Sequence, residues 1–144
     1  MTVGTEWLIE ASGCDAGALR DAGRLREVFA RAVTELDLRV VGEPQWHTFP
    51  GEGGVTGLLM LTESHLACHT YPELGVATFN LYCCRERPAW AWGERLRELI
   101  GAREVRVRSV SRETSEAQTN DEAHTNEAHT NEAHAQTRAS GGDA

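Results

Sequence analysis

Apolar residues recur along the first 110 positions with the two periods that distinguish strands from helices. Strand-like runs are predicted at 6–11, 55–62, 65–70, 76–84 and 104–110. Leu38–Val41 begins a further strand, which Gly42-Glu43-Pro44 interrupts and 46–49 continues. Helical spacing predicts one amphipathic helix over 16–37 and a second over 92–100, which ends before Gly101.

The expected order of elements is β-α-β-β-β-α-β, one strand fewer than these runs contain. Two helices on one face of a mostly antiparallel sheet form a two-layer α+β sandwich. The other face of the sheet then has no cover within the chain. A second copy of the chain would provide that cover, so a homodimer is expected.

Strand periodicity predicts which side chains lie on the open face of the sheet, because alternate residues point to opposite faces. Along 76–84, the polar set Thr78, Asn80, Tyr82 and Cys84 is expected there, while Cys83 and its apolar alternates enter the core. If 55–64 is one extended run, Thr56 and Ser64 also share a face, since their separation is even.

Composition divides the 144-residue chain into a domain at 1–112 and a tail at 113–144. The tail holds seven acidic residues and one arginine, and it repeats Glu-Ala-His-Thr-Asn without any large apolar residue. Such a segment cannot bury a core, so a disordered tail is expected. A metal site formed by His124, His129 and His134 is the alternative, but five-residue spacing does not align them on one helical face.

Charge and residue usage exclude several classes of protein. The formal net charge is −8 and no basic stripe is present, so nucleic acid is not an expected partner. All 14 basic residues are arginine, and without a lysine neither an internal pyridoxal phosphate imine nor a Walker-type phosphate loop can form. No long apolar run or secretory signal is present, so a cytoplasmic protein without membrane contact is expected.

The four cysteines are Cys14, Cys68, Cys83 and Cys84, and they are expected to be reduced thiols. The alternative is a zinc site formed by His69 with Cys68, Cys83 and Cys84. Its spacing matches no recognised zinc motif, so no metal is expected.

Residues 62–84 hold the densest group of reactive side chains, and three interpretations compete. A Ser-His-Asp hydrolase would need a turn such as GxSxG, whereas Ser64 lies between Glu63 and His65. A nucleophilic pair of Cys84 and His69 is possible, but it lacks a cysteine-protease signature. The third interpretation places all of these residues on the solvent face of a sheet, without chemistry.

A longer motif changes the balance between these interpretations. Gly54-Val55-Thr56-Gly57 precedes Glu63-Ser64-His65, which is followed by His69-Thr70-Tyr71-Pro72-Glu73 and then by Cys84. Over roughly 5–112, the chain resembles the bacterial S-adenosylmethionine decarboxylase proenzyme family.

The resemblance implies that the chain cuts itself between Glu63 and Ser64 into a β chain of 1–63 and an α chain of 64–144. Ser64 would become a covalent pyruvoyl group, the self-generated cofactor, which forms a Schiff base with the substrate. The implied reaction converts S-adenosylmethionine to decarboxylated S-adenosylmethionine, the aminopropyl donor for spermidine. The ketone would also supply the electrophilic carbonyl that the sequence otherwise lacks, in the part that lysine-bound pyridoxal phosphate plays elsewhere.

The resemblance also implies roles for individual residues. His69 matches a histidine that transfers a proton in the elimination step of self-cleavage, and Thr56 occupies the position of a serine that assists processing. Cys84 matches the proton donor that acts after decarboxylation. Glu73 matches the residue that binds the substrate ribose, and Phe49 matches the aromatic residue that stacks on adenine.

Two questions stay open at this stage. His65 either shapes the cleavage site or is a hydrogen-bonded strand residue without chemistry. Tyr71, Leu74 and Asn80 depart from the residues usual in the family, which leaves room for a pyruvoyl-dependent decarboxylase of another amino acid, such as ornithine or arginine. A hypothesis of a different class is an uncleaved, non-catalytic binding or regulatory homologue.

Overall fold

The computed structural model describes residues 1–115, of which Thr2–Arg112 form one unit. Within these residues the elements are β1 (Thr2–Ser12), α1 (Ala16–Leu19), α2 (Ala22–Glu35), β2 (Gln45–Thr48), β3 (Val55–Leu61), β4 (Ser64–Tyr71), a 3₁₀ turn (Pro72–Leu74), β5 (Val76–Cys83), α3 (Trp92–Ile100) and β6 (Glu104–Glu113). The repeat at 120–136, with its three histidines, lies outside the described residues.

The six strands form one sheet in the order β2-β3-β4-β5-β1-β6. The pairs β2–β3, β3–β4, β4–β5 and β5–β1 are antiparallel. The predicted order was one strand short, because 45–48 pairs with β3 as a true strand despite the interruption before it. Of the predicted segment Leu38–Val41, only Val40 forms a bridge, to Leu61.

The helix predicted over 16–37 is two helices. The side chain of Asp15 accepts a hydrogen bond from the backbone N–H of Ala18, and that of Asp21 accepts one from Gly23. Asp21 therefore caps a new helix N-terminus where the apolar pattern continues without a break. The helix predicted at 92–100 is confirmed, and it ends at Gly101 with a φ of +67°, the conformation that glycine adopts at lowest cost.

The α+β sandwich is confirmed. Core residues of the strands, such as Ile9, Leu66 and Phe79, share one apolar cluster with Phe29 of α2 and Leu96 of α3. Burial alternates along β5 as predicted, with Ala77, Phe79, Leu81 and Cys83 in the core. No helix within residues 1–115 has the length and apolar character needed to cross a membrane.

We call the sheet surface opposite the helices the open face. No described element of the chain packs over it. Strand alternation and register place the following side chains there: Glu6, Leu8 and Glu10 of β1, Thr56, Leu58 and Met60 of β3, His65, Ala67 and His69 of β4, and Thr78, Asn80 and Tyr82 of β5.

The expectation that Thr56 and Ser64 share a face along one strand is wrong. The chain turns at 62–63, so that Leu61 pairs with Ser64 and the two residues belong to different strands. Ser64 begins β4 in phase with the buried Leu66, whereas Thr56 lies on the open face opposite His69.

Candidate active site

The junction between Glu63 and Ser64 lies in the tight turn from β3 to β4. Ser64 has a φ of +151°, in a region that residues other than glycine rarely occupy. A residue held in such a conformation stores strain that the surrounding structure must maintain. The unusual backbone therefore coincides with the bond at which the sequence motif places self-cleavage.

The Glu63 side chain is an anchor for this turn. It is 5% exposed, and its carboxylate accepts hydrogen bonds from both Nε and Nη2 of Arg87. The other terminal nitrogen of Arg87 donates to the carbonyl of Leu36 at 3.1 Å. The hydrogen bonds to Glu63 raise the pKa of Arg87, so its guanidinium keeps the charge that strengthens these bonds.

The backbone carbonyl of Glu63 accepts a hydrogen bond of 3.0 Å from the N–H of Cys84. A donor at this position stabilises the negative charge that develops on the oxygen when a nucleophile adds to the carbonyl carbon. Cys84 itself is exposed just beyond β5, which places its thiol near the junction. Cys83 is buried in the core, and burial raises its pKa to about 11.

Thr56 and His69 form a second polar cluster. Their strands place them opposite each other, and Thr56 Oγ1 lies 2.8 Å from His69 Nδ1. Thr78 donates to the carbonyl of His69 at 3.3 Å. The ring of Phe49 meets His69 edge to face at 5.8 Å, and that of Tyr71 does so at 4.6 Å.

The structure separates these two clusters. Ser64 begins β4 and His69 lies five residues further on, a distance of about 16 Å for an extended strand. Glu73 is exposed in the 3₁₀ turn that follows β4, at the His69 end. One chain therefore brings Glu63, Ser64 and Cys84 together at one end of β4, and Thr56, His69 and Phe49 at the other.

A line of hydrogen bonds that sequence reasoning did not assemble starts at Ser64. Ser64 Oγ lies 3.0 Å from His65 Nδ1, and His65 Nε2 lies 2.9 Å from Asn80 Oδ1. Asn80 Nδ2 donates to Glu6 Oε1 at 2.5 Å, and Arg112 donates to the other oxygen of Glu6. The sequence signals for this line were the expected position of Asn80 on the open face and the hypothesis that His65 shapes the cleavage site.

Two cavities flank the clusters. One, of about 340 Å³, lies on the open face and includes Glu10, His69, Asn80 and Arg108 in its lining. The other, of about 460 Å³, lies beside the junction and is lined by Arg39, Thr62, Glu63, Cys84, Arg85 and Arg87. An open cleft therefore lies beside each cluster.

The four side chains of the alternative zinc site do not converge. Cys68 and Cys83 point into the core, whereas His69 lies on the open face and Cys84 is exposed. Burial raises the pKa of Cys68 to about 12, which disfavours the thiolate that a metal would need. Among residues 1–115, no group of three or more His, Cys, Asp or Glu side chains is arranged to hold a metal ion.

Comparisons with known proteins agree with the motif. The chain is 35% identical over 85 residues to an S-adenosylmethionine decarboxylase proenzyme of Pyrococcus horikoshii, and the match covers 59% of this chain and 60% of its relative. It is 33% identical over 115 residues to the proenzyme of Moorella thermoacetica, covering 79% and 90% of the two chains. The chain thus spans about 60% of the length of the Pyrococcus relatives it matches.

The fold has a solved counterpart. The crystal structure of the adenosylmethionine decarboxylase from Aquifex aeolicus superimposes with a TM-score of 0.67 at 26% identity, covering 82% of this chain and 97% of that one. The profile of the S-adenosylmethionine decarboxylase family matches residues 5–113. The resemblance seen in the motif is confirmed, and the chain belongs to the S-adenosylmethionine decarboxylase family.

Proposed function

We propose that this chain is a pyruvoyl-dependent carboxy-lyase that decarboxylates S-adenosylmethionine after cutting itself between Glu63 and Ser64. One observation carries the proposal: the strained Ser64 follows a carbonyl that already accepts a hydrogen bond from the Cys84 N–H, in a turn anchored by the pair of Glu63 and Arg87. Family membership supports the same assignment.

Self-cleavage needs only groups of the chain and water. Ser64 Oγ adds to the Glu63 carbonyl carbon, and the C–N bond breaks to leave an ester with a free Ser64 amine. Loss of the Ser64 α-proton expels the Glu63 carboxylate and leaves dehydroalanine. Hydrolysis releases ammonia and gives the pyruvoyl group at the start of 64–144.

The pyruvoyl group supplies an electrophilic ketone that can capture the substrate's amine and accept the electron pair released with carbon dioxide. Cys84 fits the role of proton donor to the former α-carbon, because its thiol is exposed beside the junction. His69 fits the transfer of the Ser64 α-proton during elimination. Thr56 holds the His69 ring through the contact at Nδ1 and so assists processing.

A homodimer with shared sites reconciles these roles with the separation along β4. A two-fold axis makes each surface contact its counterpart, so that the His69 end of one copy can lie over the Ser64 end of the other. The open face also exposes apolar side chains for burial, since Leu58 is 47% and Met60 60% exposed. We therefore propose that His69 acts on Ser64 of the second copy.

The substrate assignment rests on the groups at the His69 end. Phe49 offers an exposed ring that can stack on adenine, and Glu73 offers an exposed carboxylate that can accept hydrogen bonds from ribose hydroxyls. The product would be decarboxylated S-adenosylmethionine, which donates aminopropyl groups to spermidine. A pyruvoyl-dependent decarboxylase of ornithine or arginine would have no use for this pair.

We also propose that 1–112 carries the chemistry and that 113–144 is an appendage to it. The buried core lies between Ile9 and Ala102, within the first segment. Cytoplasmic location and the lack of a nucleic-acid partner stay predictions.

Intact mass spectrometry tests the proposal at its first step. Wild type is expected to give fragments 1–63 and 64–144, the second with pyruvoyl in place of Ser64, and Ser64→Ala is expected to stay whole. A wild-type chain that stays whole would reject the enzyme and favour an uncleaved regulatory homologue. The cleaved enzyme is then given labelled S-adenosylmethionine, ornithine or arginine, and release of labelled carbon dioxide identifies which of the three is the substrate.

A further inference from the structure

His65 is the imidazole that touches the serine of its own chain. Its Nδ1 lies 3.0 Å from Ser64 Oγ, within the range of an O–H···N hydrogen bond. His69, the histidine singled out by the family motif, is about 16 Å further along the strand. The group positioned to receive the Ser64 hydroxyl proton within one chain is therefore His65.

The line of hydrogen bonds has only one consistent direction. Glu6 is paired with Arg112 and can only accept, so the Asn80 amide nitrogen donates to it and the Asn80 oxygen faces His65. That oxygen requires a proton on His65 Nε2. A neutral His65 then carries its lone pair on Nδ1, which accepts the Ser64 hydroxyl.

We propose that His65 is the general base for the first step of self-cleavage, an inference that rests on the function proposed above. As Ser64 Oγ bonds to the Glu63 carbonyl carbon, its proton moves to His65 Nδ1. When the C–N bond breaks, the same proton passes to the departing Ser64 nitrogen. The step is an isomerisation, so no other reactant is consumed.

Asn80 and Glu6 are positioning residues in this scheme. Asn80 fixes the tautomer and the ring orientation of His65. Acting through the Asn80 amide, the Glu6 carboxylate stabilises the imidazolium that forms transiently on His65. The two histidines then divide the work, with His65 serving the acyl shift and His69 the later elimination. The register pairs His65 with Tyr82 of β5. Asn80 lies two residues before Tyr82 on the same face, so it is the diagonal neighbour of His65.

The test follows self-cleavage of the full-length chain in His65→Ala, with and without added imidazole. A general base contributes about 10²- to 10⁴-fold, so cleavage is expected to slow at least 100-fold and to recover with imidazole. His129→Ala, which removes a histidine from the 113–144 segment outside the proposed chemistry, is the matched control and is expected to cleave at the wild-type rate. Thermal melting against uncleaved Ser64→Ala establishes that the variant is folded.

Hydroxylamine locates the blocked step, because it splits an accumulated ester but not an amide. His65→Ala without imidazole is expected to resist it, whereas His69→Ala is expected to be split. An ester that accumulates in His65→Ala, or cleavage within threefold of wild type, overturns the inference while leaving the proposed function intact. A wild-type chain that never cleaves overturns the proposed function itself.

Asn80→Leu keeps the inference testable if His65→Ala does not fold. It leaves His65 in place but removes the hydrogen bond that sets the tautomer, so cleavage is expected to slow about tenfold. An unchanged rate in a folded Asn80→Leu variant contradicts the proposed line.

Discussion

At the scale of single residues, the four cysteines are distinguished by how far each is buried. Cys14, Cys68 and Cys83 are buried, and burial raises the pKa of each because a thiolate loses its hydration in apolar surroundings. Cys84 is exposed. Of the four, Cys84 alone combines access with a position beside the junction, as its proposed role of proton donor requires.

Alkylation with iodoacetamide at pH 8 is expected to modify one cysteine of the folded chain, Cys84, and all four after unfolding. Peptide mass mapping identifies the site, and Cys84→Ser is expected to take up no label when folded. Cys84→Ala is expected to cleave itself but to decarboxylate at least about 100-fold more slowly, because a general acid is lost. Labelling of Cys83 first, or full turnover in Cys84→Ala, would contradict the assignment.

At the scale of elements, Thr70 joins three of them. Its hydroxyl donates to the carbonyl of Leu19 at 2.7 Å and accepts from the N–H of Val55 at 2.8 Å, and the side chain is buried. These two hydrogen bonds connect the His69 end of β4 to α1 and to the start of β3. Gly54 is required beside it, because a Cβ there would lie 2.1 Å from the Thr70 carbonyl oxygen.

Thr70→Val keeps the shape of the side chain and removes both hydrogen bonds. It is expected to lower the free energy of unfolding by about 1–3 kcal/mol, because a buried carbonyl and a buried N–H lose their partner. Urea denaturation in the uncleaved Ser64→Ala background measures the change. Thr48→Val, at an exposed position of β2, is the matched control and is expected to change stability by less than about 0.5 kcal/mol. Equal effects at the two positions would argue against the role of Thr70.

At the scale of the whole molecule, the two polar clusters lie at opposite ends of one strand on a face that the chain leaves open. Neither cluster holds all the groups that the proposed reaction needs. The two-fold dimer proposed above would bring each incomplete end against the complementary end of its partner, and it would do so twice. The same association would bury Leu58 and Met60, which are exposed in the single chain.

Complementation between two inactive variants tests the shared site. Ser64→Ala supplies His69 but cannot be cut, and His69→Ala retains Ser64 but lacks the histidine. When the two are co-expressed, the His69→Ala chain is expected to be cut in mixed dimers, and mass spectrometry distinguishes its fragments. His69→Ala expressed alone is the control and is expected to stay whole. Absence of fragments in mixed dimers would place the histidine's action within its own chain.

Much of the architecture was predictable because its signals are local. The period-two burial of β5 and the end of α3 at Gly101 follow from neighbouring residues. The division of 16–37 into two helices was missed because the helix is interrupted at Asp21, the N-cap of α2, while the apolar spacing continues across it. The break between the runs 55–62 and 65–70 was predicted, but the start of β4 at Ser64 was not, since a polar residue there also fits the end of the preceding strand.

The sequence by itself determined the family and the sandwich and nominated the candidate reactive groups, because a motif and a periodicity are properties of the chain order. Only the tertiary structure decided which of those groups meet. Asn80 and Glu6 touch although 74 residues separate them, through the pairing of β5 with β1. Ser64 and His69 are close in sequence yet far apart in space, because a strand advances about 3.3 Å per residue and cannot bend back on itself.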